Sequence, residues 1–315
     1  MLWFERKMII NERGSLMNVT IRRRNKKKYR EWVLWLLLLP SLMGMLIFYL
    51  LPFFLSMYYA MIDNVVSHRF VGFQNFIDTF HNLSFQQALK NTAFFILVGV
   101  PLNLICSFTI ASLLKKVTKL KVFFGLIFLI PMIIPAGAVV FVWKSIFDVN
   151  GILNWVLYSV GLPMKNWLES EWVLEIVIII FLWKNIGIGM ILFWTGLNRI
   201  PKTYYEMARV EGGGAMGQLF HITLVYIMPT GFVAALLSII NSFKIFKEIF
   251  LLFGNYPSEW VYLLQHYMNN QFLAANAQKL SASAGIISAF IVSELFFFFH
   301  SQRKLSEYFL CDTTK

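Results

Sequence analysis

Long runs of apolar residues, separated by short polar segments, dominate the sequence. A helix needs roughly 20 apolar residues to cross a bilayer. Six runs approach or exceed that length: Trp32 to Ile62, Thr92 to Leu114, Val122 to Trp143, Trp172 to Trp194, Ile222 to Asn241 and Ser281 to His300. Pro40 and Pro52 interrupt the first run, and membrane helices tolerate proline where neighbours satisfy the freed carbonyls. The pattern predicts an all-α, polytopic membrane protein with about six transmembrane helices.

Composition supports this fold class. Of the 315 residues, 58% are hydrophobic and 14% are charged, whereas soluble domains have about 45–50% apolar and about 25% charged residues. The basic start leads into an apolar run too long for a cleavable signal, so we expect a retained first span. The predicted organisation is a basic cytoplasmic N-terminal segment at 1–31, a transmembrane domain at 32–300 and a cytoplasmic tail at 301–315.

The basic residues predict the orientation. The net charge of +12 is concentrated at the ends of apolar runs, which favours membrane topology over nucleic-acid binding. If the N-terminus is cytoplasmic, the basic residues at the ends of the spans lie on the cytoplasmic side. They are Arg22, Arg23, Arg24, Lys26, Lys27, Lys28, Arg30, Lys115, Lys116, Lys119, Lys121, Arg199, Lys202, Arg209, Arg303 and Lys304. This bias predicts six spans with both termini cytoplasmic.

The segment at 198–221, named the elbow here, differs from the other polar connections. Tyr204 to Val210 is typical of a short helix, Gly212 to Gly214 of a break, and the following residues of a second helix entering the fifth span. Glycine permits the positive φ that reverses a chain sharply. An elbow that exposes Glu206 and Glu211 is suited to a cleft on another protein, although the same pattern fits a solvated loop.

The elbow resembles the coupling-helix signature of binding-protein-dependent ABC importer permeases of the carbohydrate-uptake family. The signature falls on Glu206-Met207-Ala208, Gly212, Phe220, Ile222 and Leu224, and Val225 and Pro229 close it. The sequence departs from the family pattern at Met207, Glu211, Gly213 and Val225, where alanine, aspartate, alanine and proline are usual. Weaker similarities to permeases of the maltose and glycerol-phosphate type extend from Phe70 to Phe250.

The resemblance implies a division of labour among subunits. The expected partners are a second homologous permease, two cytoplasmic ATPases, an extracytoplasmic sugar-binding protein, the sugar and membrane lipid, in a bacterial cytoplasmic membrane. The chain would form half of a translocation pathway that works by alternating access. ATP and magnesium would be used by the ATPases, because this sequence has no Gly-x-x-x-x-Gly-Lys-Ser/Thr motif. We therefore expect no cofactor, metal or enzymatic activity in this chain.

Polar residues inside the spans suggest a candidate pathway. A charge there costs about 2.5–3.5 kcal/mol on insertion scales, and it usually faces protein or water. Lys184 and Glu294 lie near the middle of the fourth and sixth runs. One interpretation is structural pairing. The other is a sugar pathway lined by Trp183, Lys184, Asn185 and Trp194.

Two other classes of function remain open at this stage. A secondary transporter would carry its own coupling-ion site and commonly inverted repeats, and the elbow would have no role in it. A membrane-embedded enzyme would need paired carboxylates or histidines within the spans, which Glu294 alone does not supply.

The orientation can be tested by labelling. Cysteine substitutions of Lys119 and Lys165 place one thiol on each predicted side of the membrane. An impermeant thiol reagent applied from outside should modify the Lys165 site and leave the Lys119 site unmodified until the membrane is opened. The reverse pattern would invert the topology.

Overall fold

The computed structural model describes residues 6–10, 16–20, 26–116 and 121–312. Arg22 to Arg24 and Lys119, which contribute to the charge argument, lie outside the described residues. Glu294 and Cys311 are described by their backbone alone. The chain forms two compact units, residues 1–58 and 59–315.

The first unit combines a short hairpin with an apolar helix. Strands β1 (Arg6–Ile10) and β2 (Leu16–Thr20) pair antiparallel, a feature that the apolar pattern does not predict. Helix α1 (Lys26–Met45) continues through a π-helical turn (Leu46–Leu50) into α2 (Leu51–Ala60). The helix therefore runs through both prolines of the first predicted span. An isolated two-stranded hairpin is marginally stable in water, so the helix is the main element of this unit.

The regular elements described in the second unit are helices, joined by turns and by one isolated β-bridge between Ile62 and Phe70. Its helices are α3 (Gln74–Phe80), α4 (Leu83–Lys116), α5 (Lys121–Ile133), α6 (Ala136–Phe147), α7 (Ile152–Ser159), α8 (Val173–Arg199), α9 (Lys202–Val210), α10 (Ala215–Gln218), α11 (Leu224–Lys244), α12 (Phe246–Phe253), α13 (Leu264–Leu273) and α14 (Ala277–Asp312). A second π-helical turn (Leu219–Thr223) joins α10 to α11. Each predicted apolar run is helical over most of its length, so the predicted all-α membrane architecture is confirmed.

Five described helical segments are long and apolar enough to cross a membrane: Trp32–Ala60, Leu83–Lys116, Ala136–Ser159, Val173–Arg199 and Ala215–Phe253. Two shorter apolar helices, Phe123–Ile133 and Ala277–Ser293, account for the remaining predicted runs. The run from Val122 to Trp143 is not one helix, because it breaks between α5 and α6 at Pro135. Proline has no N–H to donate and disfavours the helical conformation of the residue before it.

Helix α8 packs most deeply in the second unit. Its residues contribute to two buried clusters, one around Phe181 and the other around Met190. A Cβ on Gly187 would collide with the backbone carbonyl of Phe128 on α5, and a Cβ on Gly189 with the side chain of Ser107 on α4. Both glycines therefore allow the close helix approach that membrane helices achieve with small residues.

This packing predicts the effect of a single methyl group. Gly187→Ala should lower the thermal unfolding temperature of the detergent-solubilised chain, because overpacking against backbone costs about 1–3 kcal/mol. Gly137→Ala is the matched control, since a Cβ there meets nothing within 4 Å. Fluorescence-detected size exclusion after heating would measure both. An unchanged midpoint for Gly187→Ala would contradict the close approach of α8 and α5.

Candidate functional site

The elbow reverses the chain at a glycine turn. Gly212 has φ +80° and follows Glu211, the C-cap of α9. The Gly213 N–H donates to the Ala208 carbonyl (2.7 Å), and the Gly212 N–H donates to the Arg209 carbonyl (3.1 Å). These two bonds form a Schellman motif, the helix end that glycine favours at the left-handed position. The elbow of the sequence prediction thus has a defined geometry within the chain.

One face of α9 is open to solvent. The side chains of Glu206, Met207 and Val210 are exposed, Val210 by 89% and Met207 by 60%. Positions three and four apart lie on the same helical face, so these residues form one surface. Apolar side chains exposed together with a carboxylate are typical of a protein-binding surface.

The opposite face of α9 is fixed to the membrane helices. The Tyr205 hydroxyl forms a hydrogen bond with Thr223 Oγ1 (3.0 Å). Thr223 Oγ1 also donates to the Gln218 carbonyl (3.2 Å), and Gln218 Nε2 donates to the Gly213 carbonyl (3.0 Å). Both limbs of the elbow are therefore joined by side-chain hydrogen bonds, which makes it a rigid projection.

Lys115 joins the end of α4 to the elbow. Its Nζ donates to the Leu197 carbonyl in the last turn of α8 (2.8 Å) and lies 5.4 Å from the centroid of the Tyr205 ring. The ammonium thus satisfies a carbonyl at a helix C-terminus and interacts with an aromatic face. Sequence reasoning used Lys115 only as a topology marker and did not single out Tyr205. The sequence did carry a signal for Tyr205, because it is an aromatic residue on the face of a short amphipathic helix that lies away from Glu206 and Met207.

The remaining predicted elbow residues divide between surface and core. Glu211, Gly212 and Phe220 are exposed, and Ala208 is half-buried on the anchored face. Ile222 packs against the buried cluster around Met190 and Phe193. These positions agree with a projecting elbow whose second limb enters the membrane, and their role in docking stays a prediction.

Lys184 is paired within the chain. Its Nζ contacts Glu248 Oε1 on α12 in the one ion pair found among the described side chains. Glu248 is 2% exposed, whereas the lysine side chain is 20% exposed. A buried carboxylate requires such a partner. Sequence reasoning missed Glu248, although an apolar segment holding one glutamate was the available signal.

The four candidate pathway residues do not form one cluster. Trp183 packs edge-on against Trp143 (ring centroids 5.6 Å apart). Trp194 packs against the other buried cluster, the one around Met190 and Phe193. Asn185 is buried and donates to the Phe181 carbonyl of its own helix (2.9 Å). Lys184 is the member of the set that has a charged partner and retains exposure. Glu294 lies outside the residues whose side chains are described.

Several curated proteins are similar to this chain in sequence. The probable ABC transporter permease protein YesP of Bacillus subtilis is 30% identical over 222 residues, which are 68% of this chain and 71% of YesP. The arabinooligosaccharides transport system permease protein AraP of Bacillus subtilis is 27% identical over 80% of this chain and 82% of its own. The trehalose/maltose permease MalF of Thermococcus litoralis is 29% identical over 74% and 81%. No protein-family model matches the chain.

Solved structures show the same fold. A chain of a bacterial ABC transporter that imports the acidic polysaccharide alginate superposes with a TM-score of 0.75 at 23% identity, covering 89% of this chain and 98% of that one. A chain from the complex of such a transporter with an alginate pentasaccharide-bound periplasmic protein gives a TM-score of 0.76, with coverages of 90% and 98%.

The helical fold and the sequence relatives define an integral membrane permease. With the sequence relatives, the chain belongs to the family of ABC transporter permeases, in the group that contains these sugar-uptake permeases. The predictions of an ABC importer permease and of a transport protein rather than an enzyme are confirmed.

The two interpretations of Lys184 lead to different outcomes. If the pair is structural, Lys184→Met and Glu248→Gln should each destabilise the solubilised chain by about 3–5 kcal/mol, because an uncompensated charge stays buried. The double variant should recover much of that loss. Thermal unfolding of all three variants would measure it. Wild-type stability in Lys184→Met together with an altered sugar preference would instead favour the pathway role.

Proposed function

We propose that this chain is one permease subunit of an ATP-driven, binding-protein-dependent sugar importer. The observation that carries the proposal is the exposed face of α9, held rigidly by the Gly212 turn and the Tyr205 hydrogen bond. A fixed helix that exposes Glu206, Met207 and Val210 has little use in a transporter that works alone. It fits a cleft on a cytoplasmic ATPase.

The docking chemistry follows from the exposed side chains. Glu206 can accept a charge-assisted hydrogen bond from an arginine of the ATPase, which is stronger than a neutral one. Met207 and Val210 supply apolar area beside it, and methionine adapts to an irregular partner surface. Phe220 and Glu211 widen the same contact, with Ala208 and Ile222 keeping the elbow on the membrane helices.

The proposed mechanism converts ATPase closure into helix movement. Two partner ATPases bind ATP and magnesium, and their closure displaces the elbow. Tyr205 and Lys115 pass this displacement to the inner ends of α4 and α8. The helices then change from an inward-open to an outward-open arrangement. ATP can shift this equilibrium only through different ATPase contacts in the two states.

The substrate class is proposed as a sugar. AraP is named for arabinooligosaccharides and MalF for trehalose and maltose. The complex that contains a periplasmic protein loaded with alginate pentasaccharide supports delivery by an external binding protein. A second homologous permease would complete the pathway in the cytoplasmic membrane, with both termini inside. Trp183, Lys184, Asn185 and Trp194 remain the proposed lining on this chain.

The elbow predicts loss of coupling from two single changes. Gly212→Val should misdirect α9, because a β-branched residue at positive φ costs on the order of 1–3 kcal/mol. Glu206→Lys should repel the docking arginine. Either change should release the ATPase on purification, or reduce sugar-stimulated ATP hydrolysis in reconstituted vesicles at least about tenfold, which corresponds to ~1.4 kcal/mol of lost coupling.

Two control variants isolate these causes. Gly214→Val places the same side chain two residues away, where φ is −69° and a Cβ meets nothing within 4 Å. Glu169→Lys reverses an exposed charge in the segment before α8. Both should keep wild-type subunit content and coupling. Wild-type behaviour of Gly212→Val and Glu206→Lys would show that the elbow is not the docking site.

A further inference from the structure

Two neighbouring clefts open at the end of the second unit where α4 and α8 begin. The larger, of about 650 Å³, lies between the start of α4, the segment after α12 and α13. The smaller, of about 390 Å³, lies between α4 and the start of α8. Gln87 and Lys90 line both clefts, so the two share a wall on α4. Each volume falls in the range of about 300–1,000 Å³ that small-molecule sites occupy.

Both polar and aromatic side chains line these clefts. Tyr256 and Tyr262 line the larger cleft, and Trp172 and Trp260 line the smaller one. Tyr256 is 76% exposed and Trp260 is 45% exposed. Amphipathic rings of this kind present an apolar face to a ligand and keep a polar edge in water. The aromatic groups are therefore available to a ligand entering from outside.

The wall of the clefts is preformed by buried hydrogen bonds. Asn91 Nδ2 donates to the carbonyls of Glu259 (2.7 Å) and Tyr262 (3.0 Å). The Leu264 N–H donates to Thr92 Oγ1 (3.0 Å). These bonds fix the segment after α12 on the outer end of α4. A wall that is already ordered loses little conformational entropy when a ligand binds.

His266 adds to this rigidity. Burial lowers the pKa of the His266 imidazole to about 4, so the ring is neutral at physiological pH. A neutral ring can accept a hydrogen bond, and its Nδ1 accepts one from the Leu263 N–H (3.2 Å). This bond holds the extended residue Leu263 at the start of α13. The preceding residue, Tyr262, is thereby positioned beside the larger cleft.

The smaller cleft also contains an acceptor without a partner. Glu175 Oε2 is shielded from solvent and has no hydrogen-bond partner among the described residues. Because this oxygen is shielded, a sugar hydroxyl reaches it only when the Glu175 side chain turns toward the cleft, and the carboxylate then gains a donor. On the facing helix, Lys90 offers donors to a ligand. Gln87 Nε2 donates to Asn91 Oδ1 and to the Glu259 carbonyl (3.2 Å each), so Gln87 offers its carbonyl oxygen as an acceptor. The polar groups thus match a ligand that carries many hydroxyls.

The charges around the clefts restrict the ligand further. One lysine and three glutamates line them, which gives a formal charge of −2: Lys90, Glu171, Glu175 and Glu259. An anionic ligand would be repelled by this excess of negative charge. The structural relative described as importing the acidic polysaccharide alginate shares the fold, so the fold does not decide the charge of the cargo.

We infer that the paired clefts along Gln87 and Lys90 form an entry subsite that holds a neutral oligosaccharide before it reaches the membrane pathway. Sugar rings have hydroxyls for Gln87, Lys90 and Glu175, and C–H faces for Tyr256 and Trp260. The term entry subsite rests on the proposed function, because only an importer receives sugar at this end of the chain. Binding of sugar to the clefts can be measured independently of transport.

Saturation-transfer difference NMR would test the binding directly. The complete chain, purified with its partner subunits in lipid nanodiscs, is mixed in turn with maltotriose, xylotriose, arabinotriose and trigalacturonate. At least one neutral trisaccharide should receive saturation from the wild type. Trigalacturonate should bind at least about tenfold more weakly, because like charges repel at close range.

Variants at the two exposed rings assign the signal to the clefts. Tyr256→Ala and Trp260→Ala should each weaken binding about five- to tenfold, the usual contribution of an aromatic contact. Tyr256→Phe and Trp260→Phe keep a flat ring and should bind within about twofold of wild type. Trp155→Ala removes an equally large ring, 70% exposed on α7 and outside both clefts, and should leave binding unchanged.

Three results would overturn the inference. They are no transfer to any neutral trisaccharide, full transfer in the Tyr256→Ala/Trp260→Ala double variant, and equal binding of trigalacturonate. If that double variant loses affinity for the loaded binding protein but keeps saturation transfer, the clefts contact protein and not sugar. Uptake in vesicles separates the two proposals. If sugar is taken up but saturation transfer does not depend on the cleft residues, only the subsite is rejected. If saturation transfer depends on the cleft residues but no ATP-driven uptake occurs, only the importer is rejected.

Discussion

Close packing of α8 against α4 and α5 is the constraint on which the second unit depends. Gly187 and Gly189 let the backbone of α8 approach both helices, and apolar residues around these contacts form the two buried clusters. In a membrane, apolar side chains gain little from leaving lipid, so tight contact and hydrogen bonds hold helices together. Ser107 supplies one such bond to the Ile186 carbonyl (3.0 Å). The positions of Lys184 and of the inner end of α8 follow from this packing.

The apolar runs predicted the helices well because a bilayer imposes length and hydropathy on each span separately. They did not predict the break at Pro135, since proline is often accommodated within membrane helices and its effect depends on the neighbours. They also did not reveal that Glu248 pairs with Lys184. The two residues are 64 positions apart, and only the packing of α12 beside α8 brings them together. The N-terminal hairpin was missed because it lies in a polar segment without an apolar run.

The elbow was predictable for a different reason. Its turn is determined locally, by a glycine that adopts positive φ and by two hydrogen bonds within six residues. Its attachment is not local, because Tyr205 meets Thr223 and Lys115 from other helices. Local pattern therefore indicated where the chain turns and which side chains project. It could not indicate that Tyr205 meets Thr223 and Lys115, or that Tyr204 packs on Tyr226 of α11 (ring centroids 5.1 Å apart).

Helix α4 connects the two ends of the second unit that carry the proposals. Its 34 residues extend about 51 Å at 1.5 Å per residue. The cleft residues Gln87 and Lys90 lie near its start, and Lys115 lies at its end beside the elbow. Asn103 on this helix donates to Ser238 Oγ on α11 (3.0 Å) two residues after Pro101, so the middle of the helix is fixed beside the elbow's own span. In the proposed mechanism, a displacement of the elbow acts on α4 near Lys115 and through α11. Because Asn91 holds the cleft wall to the N-terminal part of α4, a movement of that helix must carry the wall with it or break buried hydrogen bonds.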